Sequence, residues 1–150
     1  MKTIKILLIL TAVLGLATTA AAGDKYSIKT AVVAAKDAKV ETFEWGQLMT
    51  YYSGDSYSTK DSLTAVAIIN PGMEIHPPHD HSEEEYLMVL EGNGTWTVND
   101  SDFPAQAGDV LYAAPWDLHG IKNTGDTPLS FVVFKWNPKP VEPKAKKKKK

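Results

Sequence analysis

The chain of 150 residues contains no cysteine and no arginine. Without cysteine there is no disulfide framework, and no thiol on which a lipid anchor could be built. Without arginine there is no planar fork to clamp a carboxylate or phosphate through two parallel hydrogen bonds, so a lysine or a bound ion must hold any anion. Nor is there a basic patch interleaved with aromatic residues inside the body of the chain, which excludes nucleic acid as the expected partner. Internal repeats are missing, as is any run after residue 22 that is apolar enough to cross a bilayer. The glycine-rich turn "EGNG" at 91–94 lacks the strand, helix and phosphate context of a nucleotide loop.

What is present begins with two unusual ends. Lys2 and Lys5 precede an apolar stretch from Ile6 to Leu16, followed by the small residues Ala20, Ala21 and Ala22. This layout predicts a signal peptide over residues 1–22, cleaved after Ala22, and hence an exported protein, periplasmic or secreted. A membrane span is the competing reading, but about 11 apolar-dominated residues fall short of the ~20 that a bilayer requires. What remains is long enough for one domain that buries roughly two thirds of its surface. The formal charge of −2 hides a segregation: removing the two lysines before residue 22 and the six of "KAKKKKK" turns it into −10 for residues 23–143. The last stretch, 139–150, alternates proline and then runs into lysine. It predicts an extended linker and a disordered tail, either a solvated extension or a segment attracted to an anionic envelope polymer.

Between these ends, residues 23–39 form an N-terminal segment with a helical piece expected in "KTAVVAAKDAK", and residues 40–138 form the main domain. In that domain short β-rich runs such as "LTAVAIIN", "YLMVL", "TWTV", "DVLYAA" and "LSFVVFKW" alternate with turn stretches such as "NPG", "NDSD" and "NTGD". Strands recurring at this spacing, without sustained helical periodicity, predict an all-β sandwich or small barrel. The tryptophans and tyrosines at 45, 51, 52, 57, 86, 96, 112 and 136 read as core or dimer contacts.

The stretch "HPPHDHSEEE" at 76–85 concentrates three histidines and three glutamates. His79 and His81 cannot reach one ion from a helix, where positions i and i+2 point about 200° apart, whereas on a strand they share a face. Pro77 and Pro78 oppose a helix as well. Along a straight strand Glu85 would lie roughly 20 Å from His79, so the chain must turn at Ser82, Glu83 and Glu84 before Glu85 opens the next strand. There Glu85, Leu87 and Val89 alternate onto one face, placing the acid at the mouth of an apolar interior. His119 can arrive from a later antiparallel strand. Such a nitrogen and oxygen shell suits one divalent transition metal, Mn, Fe, Co, Ni, Cu or Zn, better than Ca or Mg. The alternative is a set of solvated charges in an acidic loop.

His76 reads as an exposed residue or a rim residue, and Glu83 and Glu84 as turn charges, with Glu83 competing for the ligand position. Asp117, Glu83 and His76 are the general acid or base candidates near the mouth. Trp116 and Asp117 sit on the loop before His119, where they either contact a ligand or form a surface turn. Asn123 either bonds to backbone or faces the substrate.

These two stretches resemble the paired motifs of the cupin superfamily. The first runs from Gly72 through His79, His81 and Glu85 to Gly92, with one extra residue between Gly72 and His79; the second runs from Gly108 through Pro115 and His119 to Asn123. The second departs in two places: Pro115 lies one position late, and Asp117 stands two residues after it where the family has glycine. The resemblance covers roughly residues 40–137. It implies an antiparallel jelly-roll β-barrel, a metal on His79, His81, Glu85 and His119, and a homodimer. Oxygenation, decarboxylation, lyase chemistry and isomerisation all occur in this superfamily, so the reaction stays open. The expectation is a metal-dependent enzyme for a small oxygen-bearing molecule, with a non-catalytic small-molecule or sugar-binding module as the alternative.

Overall fold

The computed structural model describes residues 26–140. The expected signal peptide at 1–22 and the lysine run of the tail lie outside them. The described residues fold into nine strands: β1 Lys39–Phe43, β2 Gly46–Gly54, β3 Thr59–Ile69, β4 Glu84–Glu91, β5 Asn93–Val98, β6 Ser101–Gln106, β7 Val110–Ala113, β8 His119–Lys122 and β9 Leu129–Pro138. Six of them form one sheet in the order β1-β2-β3-β9-β4-β7, and three form a second in the order β6-β5-β8. Every named strand pair is antiparallel.

Alternation in the sequence fixes which face of each strand turns inward. On β4, Glu85, Leu87 and Val89 are buried while Tyr86, Met88 and Leu90 are exposed. On β9, Leu129, Phe131 and Val133 form the inward row. These side chains meet Ala65, Ala67 and Ile69 of β3 from the same sheet, and Trp96, Ala105 and Ile121 from the smaller sheet. The core therefore lies between two layers, as a jelly roll requires, and each fully buried aliphatic side chain contributes about 1.5–3 kcal/mol.

The turn from β4 into β5 depends on Gly92. Its φ is +84°, and a Cβ there would lie 2.5 Å from the Pro128 carbonyl oxygen. Any side chain would collide with the approach to β9, so this glycine of the first motif keeps the two layers close.

The helix expected in "KTAVVAAKDAK" does not form. A single 3-10 turn spans Ala35–Asp37, with no side-chain cap at its start. The stretch before it is held extended against the edge of the fold: Tyr52 Oη donates to the Ala31 carbonyl at 2.7 Å, and the Ile28 N–H donates to the Asp55 carbonyl at 2.9 Å. A segment this short gains little from helix formation alone, so tertiary hydrogen bonds decide its conformation.

Candidate metal centre

The first histidine reaches the site by lying alongside β8. The His79 N–H donates to the His119 carbonyl at 3.0 Å, and the His119 N–H returns the bond to His79 at 2.9 Å. Further back, the Gly72 N–H donates to the Asn123 carbonyl and the Asn123 N–H to the Met73 carbonyl, while Glu74 bridges Lys122. The two motifs are thus zipped together at both ends, and between them His76, Pro77 and Pro78 form an exposed bend. Gly120 permits the close pass: a Cβ there would lie 3.1 Å from Pro78 Cα.

A strand over 79–81 was the expectation, and none forms. His79 makes an isolated bridge and His81 no ladder pairing. The prolines at 77 and 78 supply no N–H, and the turn at Ser82 follows at once, so the run of donors is too short for a strand. The His81 carbonyl instead accepts from the Trp116 N–H at 2.9 Å, which ties this segment to the loop before His119. Glu84, expected in the turn, is the first residue of β4.

The three imidazoles still converge. Ring centroids are 5.1 Å apart for His79 and His81, 5.1 Å for His79 and His119, and 4.8 Å for His81 and His119. One nitrogen from each ring lies within 4.8 Å of the other two. The Glu85 carboxylate stands beside two of the rings, with Oε2 at 3.1 Å from His81 Nε2 and Oε1 at 3.6 Å from His119 Nε2, while the group whose ligand atoms all lie within 4.8 Å of one another is the three histidines alone.

A backbone carbonyl sets the tautomer of His119: its Nδ1 lies 2.7 Å from the Asp117 carbonyl, so in the neutral ring Nδ1 carries the proton and Nε2 is a bare lone pair facing the Glu85 carboxylate, which has no proton to give. His81 has an acceptor at each nitrogen, the Glu83 carbonyl 3.1 Å from Nδ1 and the Glu85 carboxylate 3.1 Å from Nε2, and a neutral ring has one proton for the two. Two acceptors brought together in a buried place require a positive charge between them. His119 Nε2 and His79 Nδ1 are moreover buried without a hydrogen-bond partner. This donor set fits a cation bound by nitrogen and oxygen.

The charge states follow the same geometry. Burial, then the neighbouring histidines His76, His119 and His81, hold His79 below the usual imidazole range. Burial works against ionisation of Glu85, but His119, His81 and Lys135 outweigh it and keep the carboxyl below its ordinary value. Burial likewise opposes a charge on His119, yet the Glu85 carboxylate and the Asp117 carbonyl hold that group above its ordinary value.

A cavity of about 150 Å³ opens beside this group. Apolar side chains including Trp45, Leu48, Ile75, Leu87 and Phe131 form most of its wall, and His76, His79, Glu85, His119 and Lys135 supply the polar edge. His76 is exposed and stands at the rim, its ring centroid 4.0 Å from that of His79. Glu83 turns inward rather than into solvent: its carboxylate lies 3.5 Å from His81 Nδ1 and 3.9 Å from Lys135 Nζ.

Other candidates from the sequence fall elsewhere. Trp116 is 68% exposed, and Asp117 meets the site through its carbonyl; neither side chain lines the cavity. The Asn123 amide is committed to backbone, donating to the Ile69 and Thr127 carbonyls and accepting from the Gly125 N–H. Lys135 is the residue that the sequence reading missed. The signal was there: "LSFVVFKW" places Leu129, Phe131, Val133 and Lys135 at successive alternate positions, so the inward row ends on a charge.

Residues 65–135 match the family model described as a cupin domain. Among curated proteins, the chain is 34% identical over 82 residues to gentisate 1,2-dioxygenase of a Streptomyces species, covering 54% of this chain and 23% of that protein. It is 32% identical over 81 residues to an oxalate-binding protein of Thermotoga maritima, covering 54% of this chain and 67% of that one. A crystal structure of a predicted oxalate decarboxylase from Thermotoga maritima superposes with a TM-score of 0.59 at 26% identity, over 71% of this chain and 98% of the other.

Proposed function

The chain belongs to the cupin family, and from that premise we propose that it holds one divalent transition-metal ion on His79, His81, Glu85 and His119. Next to that ion it would act on a small oxygen-bearing molecule. The observation that carries this reading is the pair of buried, unpartnered imidazole nitrogens in a group of three that also faces a carboxylate. Nitrogen-rich mixed shells of this kind suit Mn, Fe, Co, Ni, Cu or Zn. When bound, the ion supplies Lewis acidity toward an oxygen of the ligand.

The protein's own residues do the rest. The Glu83 and Asp117 carbonyls fix the rings of His81 and His119 with Nε2 turned toward Glu85. Apolar walls exclude water from the space where the molecule sits. His76 at the rim and Glu83 beside Lys135 are the groups placed to carry a proton in or out. Metal-dependent catalysis of the oxygenase, decarboxylase, lyase or isomerase type is the leading reading. Reversible binding without turnover is the second, favoured by the relative named an oxalate-binding protein. Catalysis gives product with time, whereas a binding module saturates and stops.

The test is metal removal. Protein purified from its own compartment should contain close to one transition-metal ion per chain by elemental analysis. Chelation should lower the melting temperature by on the order of 10 °C in the parent, and far less in His81→Ala. An equal response in the two proteins would exclude the site.

The layout of residues 1–22 supports export, which N-terminal sequencing of the mature protein tests. The exposed apolar face of β4 and β7 supports a homodimer, and the terminal lysines support attraction to an anionic envelope polymer.

A further inference from the structure

We propose that Lys135 is the anion-recognising residue of the cavity and that the molecule bound there is a small carboxylate, held between this ammonium group and the ion. This rests on the metal reading above and narrows it to a substrate class and a residue.

Lys135 ends the inward row of β9 and pairs across the ladder with Glu85 of β4. A lysine in that row is costly unless something compensates its charge, because its stem lies among apolar residues and water is thinned there. Its side chain is 27% exposed, and Glu83 at 3.9 Å is its ion partner. That distance exceeds hydrogen-bond reach, and no hydrogen bond takes up its three donors among the described residues. Lys135 thus lines the cavity with an ammonium group that is only loosely partnered.

The shape of the space selects the anion. Six heavy atoms fill a cavity near 150 Å³, since benzene occupies one of that size. Walls built from Trp45, Leu48, Ile75, Leu87 and Phe131 favour a carbon skeleton over inorganic phosphate, which would surrender its hydration to apolar surface. Charge points the same way. Neutral imidazoles, one glutamate and a dication leave the centre positive, and Lys135 adds to it while Glu83 offsets a single charge. One carboxylate brings the site to balance. With no arginine in the chain, the two carboxylate oxygens must be divided between two cations, and Lys135 is the lysine at this wall.

The test compares butyrate with butyramide, which have the same number of heavy atoms and differ in charge, on metal-loaded full-length protein followed by nuclear magnetic resonance titration. The parent should bind butyrate at least about tenfold more tightly than butyramide. Lys135→Met should reduce that preference several-fold with its metal content unchanged, leaving only the part due to the ion, and Lys135→Arg should restore most of it. Preference undiminished in Lys135→Met overturns the proposal, as does a parent that binds inorganic phosphate more tightly than butyrate. A parent without an ion would remove the metal reading itself, whereas a parent that keeps its ion and shows no preference for charge would remove this inference alone.

Discussion

Trp116 carries the most unusual backbone of the loop before His119. Its φ is +68°, a left-handed conformation that a bulky side chain adopts only at a cost, whereas Asp61 and Asn99, the other positive-φ residues without a glycine's freedom, are types that tolerate it. The sequence departs from the family pattern at Pro115 and at Asp117, and the left-handed turn lies between them. Trp116→Gly is expected to stabilise the ion-free protein by about 1 kcal/mol, which thermal denaturation will show as a melting point a few degrees higher. The exposed indole makes no cavity contact that this change would remove. Single residues differed sharply in how far their sequence betrayed them. His79, His81, Glu85 and His119 stood out because histidines two apart, an acid four further on and a distant histidine leave few geometries open. Lys135 did not stand out, since a lysine near the end of a strand usually marks solvent, and only the long reach of β9 turns it inward.

Elements arrange these residues through close backbone approach. β8 can receive the 72–79 segment because Gly120 has no side chain to meet Pro78, a rigid ring that cannot swing aside. Gly120→Ala should push the segment away by a few tenths of an ångström and spoil the His79 and His119 exchange of hydrogen bonds. The expected result is ~10- to 100-fold weaker metal retention, measured by chelator competition, in a protein that still folds. At this scale the strands of the main domain were readable from alternation, and the turn that returns Glu85 to the site followed from chain length alone. Two predictions failed for a shared reason. The helix before β1 and the strand over 79–81 were inferred from local pattern, yet Tyr52 and Asp55 pin the former in an extended form, and the two prolines starve the latter of donors.

Across the whole molecule, the most prominent surface feature is the outer side of the larger sheet. Tyr86, Met88 and Leu90 of β4 stand beside Val110 and Tyr112 of β7 and Phe134 of β9, all exposed, with the Tyr86 and Tyr112 rings 4.8 Å apart. A continuous apolar face of this kind on an otherwise acidic body suits a second copy of the chain. Sedimentation should report a dimer, and Tyr112→Asp should weaken it by roughly 30-fold; an unchanged monomer in both would place the partner surface elsewhere. The jelly roll as an architecture was legible through the resemblance of the paired motifs to cupins, whereas strand spacing by itself left a sandwich or a small barrel open. What binds to its outside was not, since sequence alternation shows that a residue points outward without showing what it meets.

One feature of the zipper between the motifs reaches beyond coordination. His79 and His119 belong to the edge of the smaller layer, while Glu85 rises from the larger one. An ion gripped from both sides would rivet the layers together at their open end, so whatever parts them to admit a guest must also loosen the rivet.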